Sequence, residues 1–361
     1  MVRLIVTLLF IPFICGRSLA QERPQNAGDM YRQWCAVCHG ANGNGDMPSR
    51  PVRTEPLDFS DCAVSTREPD ADWELVIRRG GPAAGLSWDM PAFHDTLTAE
   101  EMSRMLRHLR SLCAERRWPH GNLNLPRGLF TTKAFPGDEV VIVPMVSHRY
   151  GARTRVRIHH EYERRLGRRG QFEATLPIES VGGPRRRVIG FGDVSVGAKY
   201  VLHSNEAGTR ILTAGFETHL PTGPTRYQFG EGSAAFEPFV AAALRRRSLH
   251  LQLDFAMEQL ARRVSPEHPL RHVIYNAYAA GELRPLPGSL TVGLEINGLD
   301  KNVAVTPQIR KALTRTGALA AAFGVRIPVY SYPGVQFTRW TGYLLWDYRD
   351  PIMARSSAPR Q

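Results

Sequence analysis

No stretch of the 361-residue sequence reaches the roughly 18 consecutive apolar side chains that a membrane-crossing helix needs, so a helical anchor is not expected. There is no phosphate-cradling glycine loop and no nucleophile–base motif, which leaves nucleotide hydrolysis and covalent hydrolase chemistry without their usual signatures. Cysteine is absent after residue 113, and lysine is absent from residues 21–116. The net charge of +12 comes without a nucleic-acid-binding motif. Anionic lipid headgroups or an anion-lined interior are its expected surroundings, and nucleic acid is not an expected partner.

The charge is unevenly spread. Residues 21–116 carry 11 Arg against 15 acidic side chains, whereas residues 117–361 carry 33 basic side chains against 19 acidic ones. Such a reversal, in a chain long for one compact domain, points to two modules with different surroundings. Arg3, the apolar run Leu4–Cys15 and Ser18-Leu19-Ala20 read as an export signal over residues 1–20. Ile14 precedes Cys15 where a lipoprotein cysteine would want a small residue. Removing the leader leaves Cys35, Cys38, Cys62 and Cys113, all in the acidic part and in a compartment that oxidises thiols.

Cys35-Ala36-Val37-Cys38-His39 has the spacing of haem attachment. Two thiols add across the porphyrin vinyl groups, and the adjacent imidazole is held beneath the iron. A Cys-x-x-Cys pair alone would also suit a redox dithiol or half a zinc site. The following His39 and the export signal favour one covalent haem c, with His39 as the proximal ligand. Two Met-Pro pairs compete for the distal side, where a Met sulfur would raise the potential. Met47 lies eight residues past His39, too close for the chain to pass round the macrocycle. Met90, 51 residues downstream, leaves room for a helix and a return loop, and Pro91 restricts the backbone beside it. Met90 is therefore the expected distal ligand and His94 its rival.

Gly28–Trp34 leads into this motif as a helix. Thr98 and Glu101 form a capping box before Met102, Met105, Leu106, Leu109 and Leu112, which follow at helical spacing. The methionines of that helix read as core. Over residues 25–116 the layout resembles class I cytochrome c, on Gly28/Tyr31, Cys35–His39, the glycine-rich Gly40–Asp46 loop, Met90-Pro91 and the closing helix. That resemblance implies an all-α cytochrome c domain with an electron-transfer role. Cys62 and Cys113 lie outside its pattern. A mutual disulfide closing a loop of about 50 residues is expected, with free thiols or bonds to a partner as the alternatives.

Residues 117–138, with Trp118-Pro119, Asn122–Pro126 and Pro136-Gly137, show neither helical nor strand periodicity and read as a linker. Beyond them the period is two. Val194, Val196, Ala198, Tyr200 and Leu202 alternate with Asp193, Ser195, Gly197 and Lys199, and Leu249–Met257 and Leu290–Ile296 alternate likewise. About twelve such segments are expected, near 139–146, 154–163, 171–179, 191–203, 208–219, 235–245, 249–258, 272–283, 289–297, 303–311, 318–327 and 336–346. Their length suits tilted membrane strands better than a soluble sandwich. An antiparallel transmembrane β-barrel over 139–348 is thus expected, followed by a tail, 349–361. Tyr200, Trp340, Tyr343, Trp346 and Tyr348 are candidates for its interfacial girdles. The scattered histidines His148, His159, His160, His203, His219, His250, His268 and His272 read as pore lining or loop. Gly192-Asp193-Val194, Lys199-Tyr200 and Leu220-Pro221-Thr222-Gly223 resemble the outer-membrane barrel family named for the meta-pathway of phenol degradation. Barrels of that kind finish on an aromatic, whereas here Arg349–Gln361 follow the last strand.

The whole resembles the fused cytochrome–porins of the outer membrane. That resemblance implies a non-enzymatic electron-transfer protein, its haem in the periplasm and its barrel in outer-membrane lipid. The expected partner is a protein or small-molecule electron donor or acceptor. The alternative is a solute channel with the haem module as a regulatory or docking part.

Overall fold

The computed structural model describes residues 26–47, 52–115, 117–147, 154–182, 187–266, 268–283, 290–315, 317–330 and 338–349. The export signal, His148 and the stretch from residue 350 onward lie outside the described residues.

The first module has five helices: α1 (Ala27–Trp34), α2 (Ala36–His39), α3 (Cys62–Ser65), α4 (Asp70–Arg79) and α5 (Ala99–Leu112). Side-chain caps open α1, α3 and α5. The Asn26 side chain accepts from the Asp29 N–H at the start of α1, and Thr98 and Glu101 make the expected reciprocal box on α5. Met30, Tyr31, Phe59, Trp73, Met102 and Met105 form its core. A disulfide joins Cys62 to Cys113 with the Cα atoms 5.1 Å apart, tying the start of α3 to the end of α5. The all-helical expectation is met only in part. No strand occurs among the described residues of this module, but non-helical segments at 40–47, 52–61 and 85–98 make up much of it.

The second module is one antiparallel sheet. Its strands are β1 (Glu139–Ser147), β2 (Thr154–Leu166), β3 (Gly170–Gly182), β4 (Arg187–Phe191), β5 (Val194–Ser204), β6 (Arg210–Leu220), β7 (Ala235–Arg246), β8 (Leu249–Leu260), β9 (Arg271–Leu283), β10 (Leu290–Leu299), β11 (Asn302–Ala312), β12 (Leu319–Tyr330) and β13 (Arg339–Asp347). Because β1 pairs with both β2 and β13, and β2 with β3, the sheet closes on itself. β4 and β5 pair with the two halves of β3, forming one stave interrupted at Gly192–Asp193, so thirteen segments make twelve staves. At that break Asp193 accepts from the Gly223 and Glu231 N–H groups, and the Thr222 hydroxyl donates to the Gly192 carbonyl. The Gly192–Val194 and Leu220–Gly223 motifs thus clasp one another at the rim.

Alternation sorts the side chains as expected. Tyr200, Leu202, Leu253, Phe255, Leu294 and Trp340 stand on the outer face, while Gln171, Lys199, Gln252, Asp254 and Glu295 are buried within. One girdle expectation needs correcting. Tyr343 is only 4% exposed and points into the lumen, where its hydroxyl donates to the Arg127 carbonyl at 3.0 Å. Its place in the two-residue period, opposite in phase to Trp346, decides this.

Residues 122–138, part of the stretch 117–138 that reads as a linker, run inside the barrel. Backbone N–H groups of Phe130 and Thr131 donate to Glu295 on β10, and that of Thr132 donates to Asp254 on β8. The carbonyls of Pro126, Lys133 and Ala134 accept from Gln252, Lys199 and Thr213. Arg127 pairs with Glu161 at 2.8 Å and Glu163 at 3.0 Å on β2, and Lys133 pairs with Glu139. Strands from all round the lumen therefore satisfy a segment that lacks regular structure of its own, as a buried backbone requires. Leu123, Leu125 and Phe135 add an apolar cluster with Val201, Ile211 and Phe239.

The helical module sits on the rim where β1 begins and β13 ends. Arg67 pairs with buried Asp138 at 2.9 Å, Arg168 of the β2–β3 turn pairs with Glu115, and Arg169 donates to the Arg117 carbonyl. Asp70 and Asn122 exchange hydrogen bonds of 2.8 and 2.7 Å. The short connections 167–169, 205–209, 247–248 and 313–318 lie at this end, and the longer 221–234 and 261–270 at the other, together with the two-residue 300–301.

Candidate haem site

The attachment motif begins where α1 stops. Cys35 ends α1 and opens α2, whose single turn carries Cys38 and His39 on a short, fixed arc. Gly40 follows with φ +76°, and a Cβ there would lie 2.6 Å from the Asp46 carbonyl, so only glycine lets the Gly40–Asp46 loop fold back. The buried Tyr31 hydroxyl donates to the Gly40 carbonyl at 2.7 Å and fixes that loop to α1.

Behind the motif, His39 Nδ1 lies 3.4 Å from the Leu57 carbonyl oxygen, and its ring rests 4.8 Å from the Phe59 ring. Burial holds the His39 imidazole below the usual histidine range, in the neutral form a metal ligand needs. Burial, reinforced by Cys38, pushes the Cys35 thiol up to about 12, and burial raises Cys38 too. The attacking sulfur of a redox dithiol shows the opposite shift.

Met90 approaches from the far side of the sequence. Its carbonyl accepts from the Gly81 N–H at 3.0 Å, while Phe93 N–H donates to the Ile77 carbonyl at 2.9 Å. A Cβ on Gly81 would meet the Met90 Cβ at 3.2 Å and the Ser87 carbonyl at 2.2 Å, so the return loop needs a glycine beneath it. The Asp89 carboxylate accepts from the Arg53 N–H at 2.9 Å, binding the loop to the 52–54 segment.

Cys35, Cys38, His39 and Met90 all line one cavity of about 710 Å³, walled by Trp34, Phe59, Val76, Ile77 and Phe93. That size is within the range of cofactor pockets. Two thiols one turn apart, a neutral imidazole and a thioether around an apolar space fit a c-type haem. Met47 does not line the cavity. His94 is well exposed, at 61%, and contacts Asp95 instead. Sequence reasoning missed Arg315, which reaches the cavity from the β11–β12 turn and donates to the Pro82 carbonyl at 2.8 Å. No sequence signal links residues that far apart.

Residues 22–109 match the family model described as cytochrome c oxidase, cbb3-type, subunit III. This module is a cytochrome c domain. The match covers the N-terminal part of the chain, and no curated protein matches. Among solved structures, an outer membrane channel from Pseudomonas putida F1 is similar at 16% identity, over 62% of this chain and 99% of that one, with a TM-score of 0.45. The KdgM porin in complex with disordered oligogalacturonate is similar at 10% identity over 58% and 98%, TM-score 0.39. The NanC porin is similar at 9% identity over 57% and 98%, TM-score 0.40. Independently of these likenesses, the strand register defines the barrel. The cytochrome c domain is therefore fused to a closed antiparallel barrel of twelve staves.

Proposed function

We propose that this chain is an electron-transfer protein of the outer membrane, with one covalent haem c ligated by His39 and Met90 and held at the periplasmic mouth of its barrel. The common cavity of Cys35, Cys38, His39 and Met90 is the observation that carries this reading. A haem bound there supplies one-electron oxidation and reduction. The chain's own residues do the rest. Cys35 and Cys38 would tether the group, the Leu57 carbonyl favours the Nδ1–H tautomer that would leave Nε2 of His39 for the iron, and Met90 would offer it a thioether sulfur.

The outer membrane is supported by the apolar outward face, by strands of nine to thirteen residues in every stave but the interrupted β4–β5 one, and by full closure of the sheet. The short connections at the haem end favour a periplasmic domain, because periplasmic turns of such barrels are short. A haem at one mouth cannot by itself carry electrons through an apolar band of about 25 Å. A redox partner, either a protein or a small molecule, must therefore meet it on its own side or reach it through the lumen.

A solute channel is the competing reading. The wall-to-wall hydrogen bonding of residues 122–138 weighs against free passage.

The ligation test is Met90→Ala in the holoprotein, which should lower the haem potential and let carbon monoxide bind. If Met90→Ala leaves both unchanged while Met47→Ala alters them, the assignment is wrong. Orientation is tested by protease access in intact cells. Cleavage of the haem domain should require permeabilised outer membranes, and cleavage without permeabilisation would place it outside.

A further inference from the structure

At the end of the barrel far from the haem, the lumen holds a second group of ligand-type side chains. His219 on β6, Glu237 on β7 and Glu258 on β8 present their imidazole and carboxylate atoms within 4.8 Å of one another. The strand phase turns all three inward, and the register sets Glu217 opposite Glu237 and His272 opposite Glu258 in the same row. We propose that His219, Glu237 and Glu258 form a binding site for a single divalent transition-metal ion, of the class that accepts mixed nitrogen and oxygen ligands.

Three observations support this. First, His219 Nε2 is buried and makes no hydrogen bond, and its nearest charged oxygen, on Glu237, is 3.8 Å away. That is too far for a hydrogen bond and suits two ligands kept apart by an ion between them. Second, among the described residues no arginine or lysine pairs with Glu237 or Glu258, whereas Glu161, Glu163, Glu139 and Glu179 of the same lumen each have a cationic partner. Clustered carboxylates repel one another; the His219 imidazole offsets that only while protonated, and a divalent ion held by all three groups would offset it more strongly. Third, the ligands come from three consecutive strands: β6 pairs with β7 through Glu237, and β7 and β8 keep one register on either side of Glu237–Pro238, so the sheet holds the ligands in place without ordering a loop.

One imidazole with two carboxylates suits Zn²⁺, Mn²⁺ or Fe²⁺ better than Ca²⁺, which prefers oxygen alone. The two loops at this end stand beside the site. His268 of 261–270 lies 3.5 Å from Glu231 of 221–234, and its ring lies 5.3 Å from that of His272. The proposal does not depend on the haem reading, since it uses none of the haem residues.

The test uses full-length, haem-loaded protein in detergent, stripped with a chelator and titrated with Zn²⁺, which is redox-silent. Zinc and haem iron are counted separately after gel filtration. One Zn²⁺ per chain should be retained, and excess Ca²⁺ should not displace it. His219→Ala, and separately Glu237→Gln with Glu258→Gln, should weaken binding at least about tenfold. The haem spectrum and heat-modifiable gel mobility should be unchanged, showing that both modules remain folded. No retained zinc in the wild type, displacement by Ca²⁺, or undiminished binding by folded His219→Ala would each overturn the assignment.

Discussion

In the cytochrome domain Met30, Tyr31, Met102 and Met105 are at most 1% exposed, whereas in the barrel Glu295, Thr306, Gln171 and Gln252 are hidden just as deeply. The barrel's Leu253, Phe255, Leu294 and Ile296 are instead 41–50% exposed. One chain thus buries mainly apolar side chains in its helical module and many polar ones in its barrel. The hydrophobic effect drives both, but the surroundings differ: water encloses the helical module, and hydrocarbon is the fitting environment for the barrel's outer face. An inward polar face brings its own requirement, since every enclosed donor and acceptor needs a partner. Residues 122–138 meet part of it by threading the lumen, so the segment joining the two modules also completes the interior of one of them.

The largest test of this contrast is Arg127→Ala. It leaves Glu161 and Glu163 enclosed without their cation, and breaking such a buried set costs about 3–5 kcal/mol. Urea unfolding of the barrel should register the loss, and liposome swelling should report a leakier lumen. Unchanged stability and swelling would mean that the segment does not seal the interior. Next, replacing Cys62 and Cys113 together by Ser should destabilise the cytochrome domain by about 2–4 kcal/mol. The haem band should then melt earlier while the barrel's gel mobility stays put, and loss of both together would show that the modules fold as one. Smaller still, Leu253→Arg on the outer face should cost about 2 kcal/mol in bilayers. A face that met water would tolerate the change, so equal stability in lipid would refute the membrane reading.

Much of this was legible in the residues. Cys35-Ala36-Val37-Cys38-His39 is a local signal, because thioether chemistry demands that spacing on one helical turn. Thr98 and Glu101 announced α5 for the same reason, as their bonds span only three residues. Alternation located every stave, since a two-residue period with one polar and one apolar face marks a strand and the side each residue takes. The strand at Arg187–Phe191 lay, but for Phe191, outside the expected segments, because only its pairing with the far half of β3 makes it a strand. The 117–138 segment gave the impression of an ordinary linker. Its backbone partners, Asp254 and Glu295, lie more than a hundred residues away, and nothing in its own composition marks them.

What the sequence by itself determined is therefore local or periodic: the haem-attachment motif, the Met-Pro return, the helix caps and the sidedness of each strand. These follow from short-range covalent geometry and from the repeat of the backbone, which depend on neighbours a few residues apart. Tertiary structure alone decided that Tyr343 faces Arg127, that residues 122–138 lie within the barrel, that Arg315 reaches the haem cavity, and that His219, Glu237 and Glu258 meet. Those contacts depend on how twelve staves close into a ring. Closure brings together side chains from separate strands according to shear and register, quantities that no single segment carries.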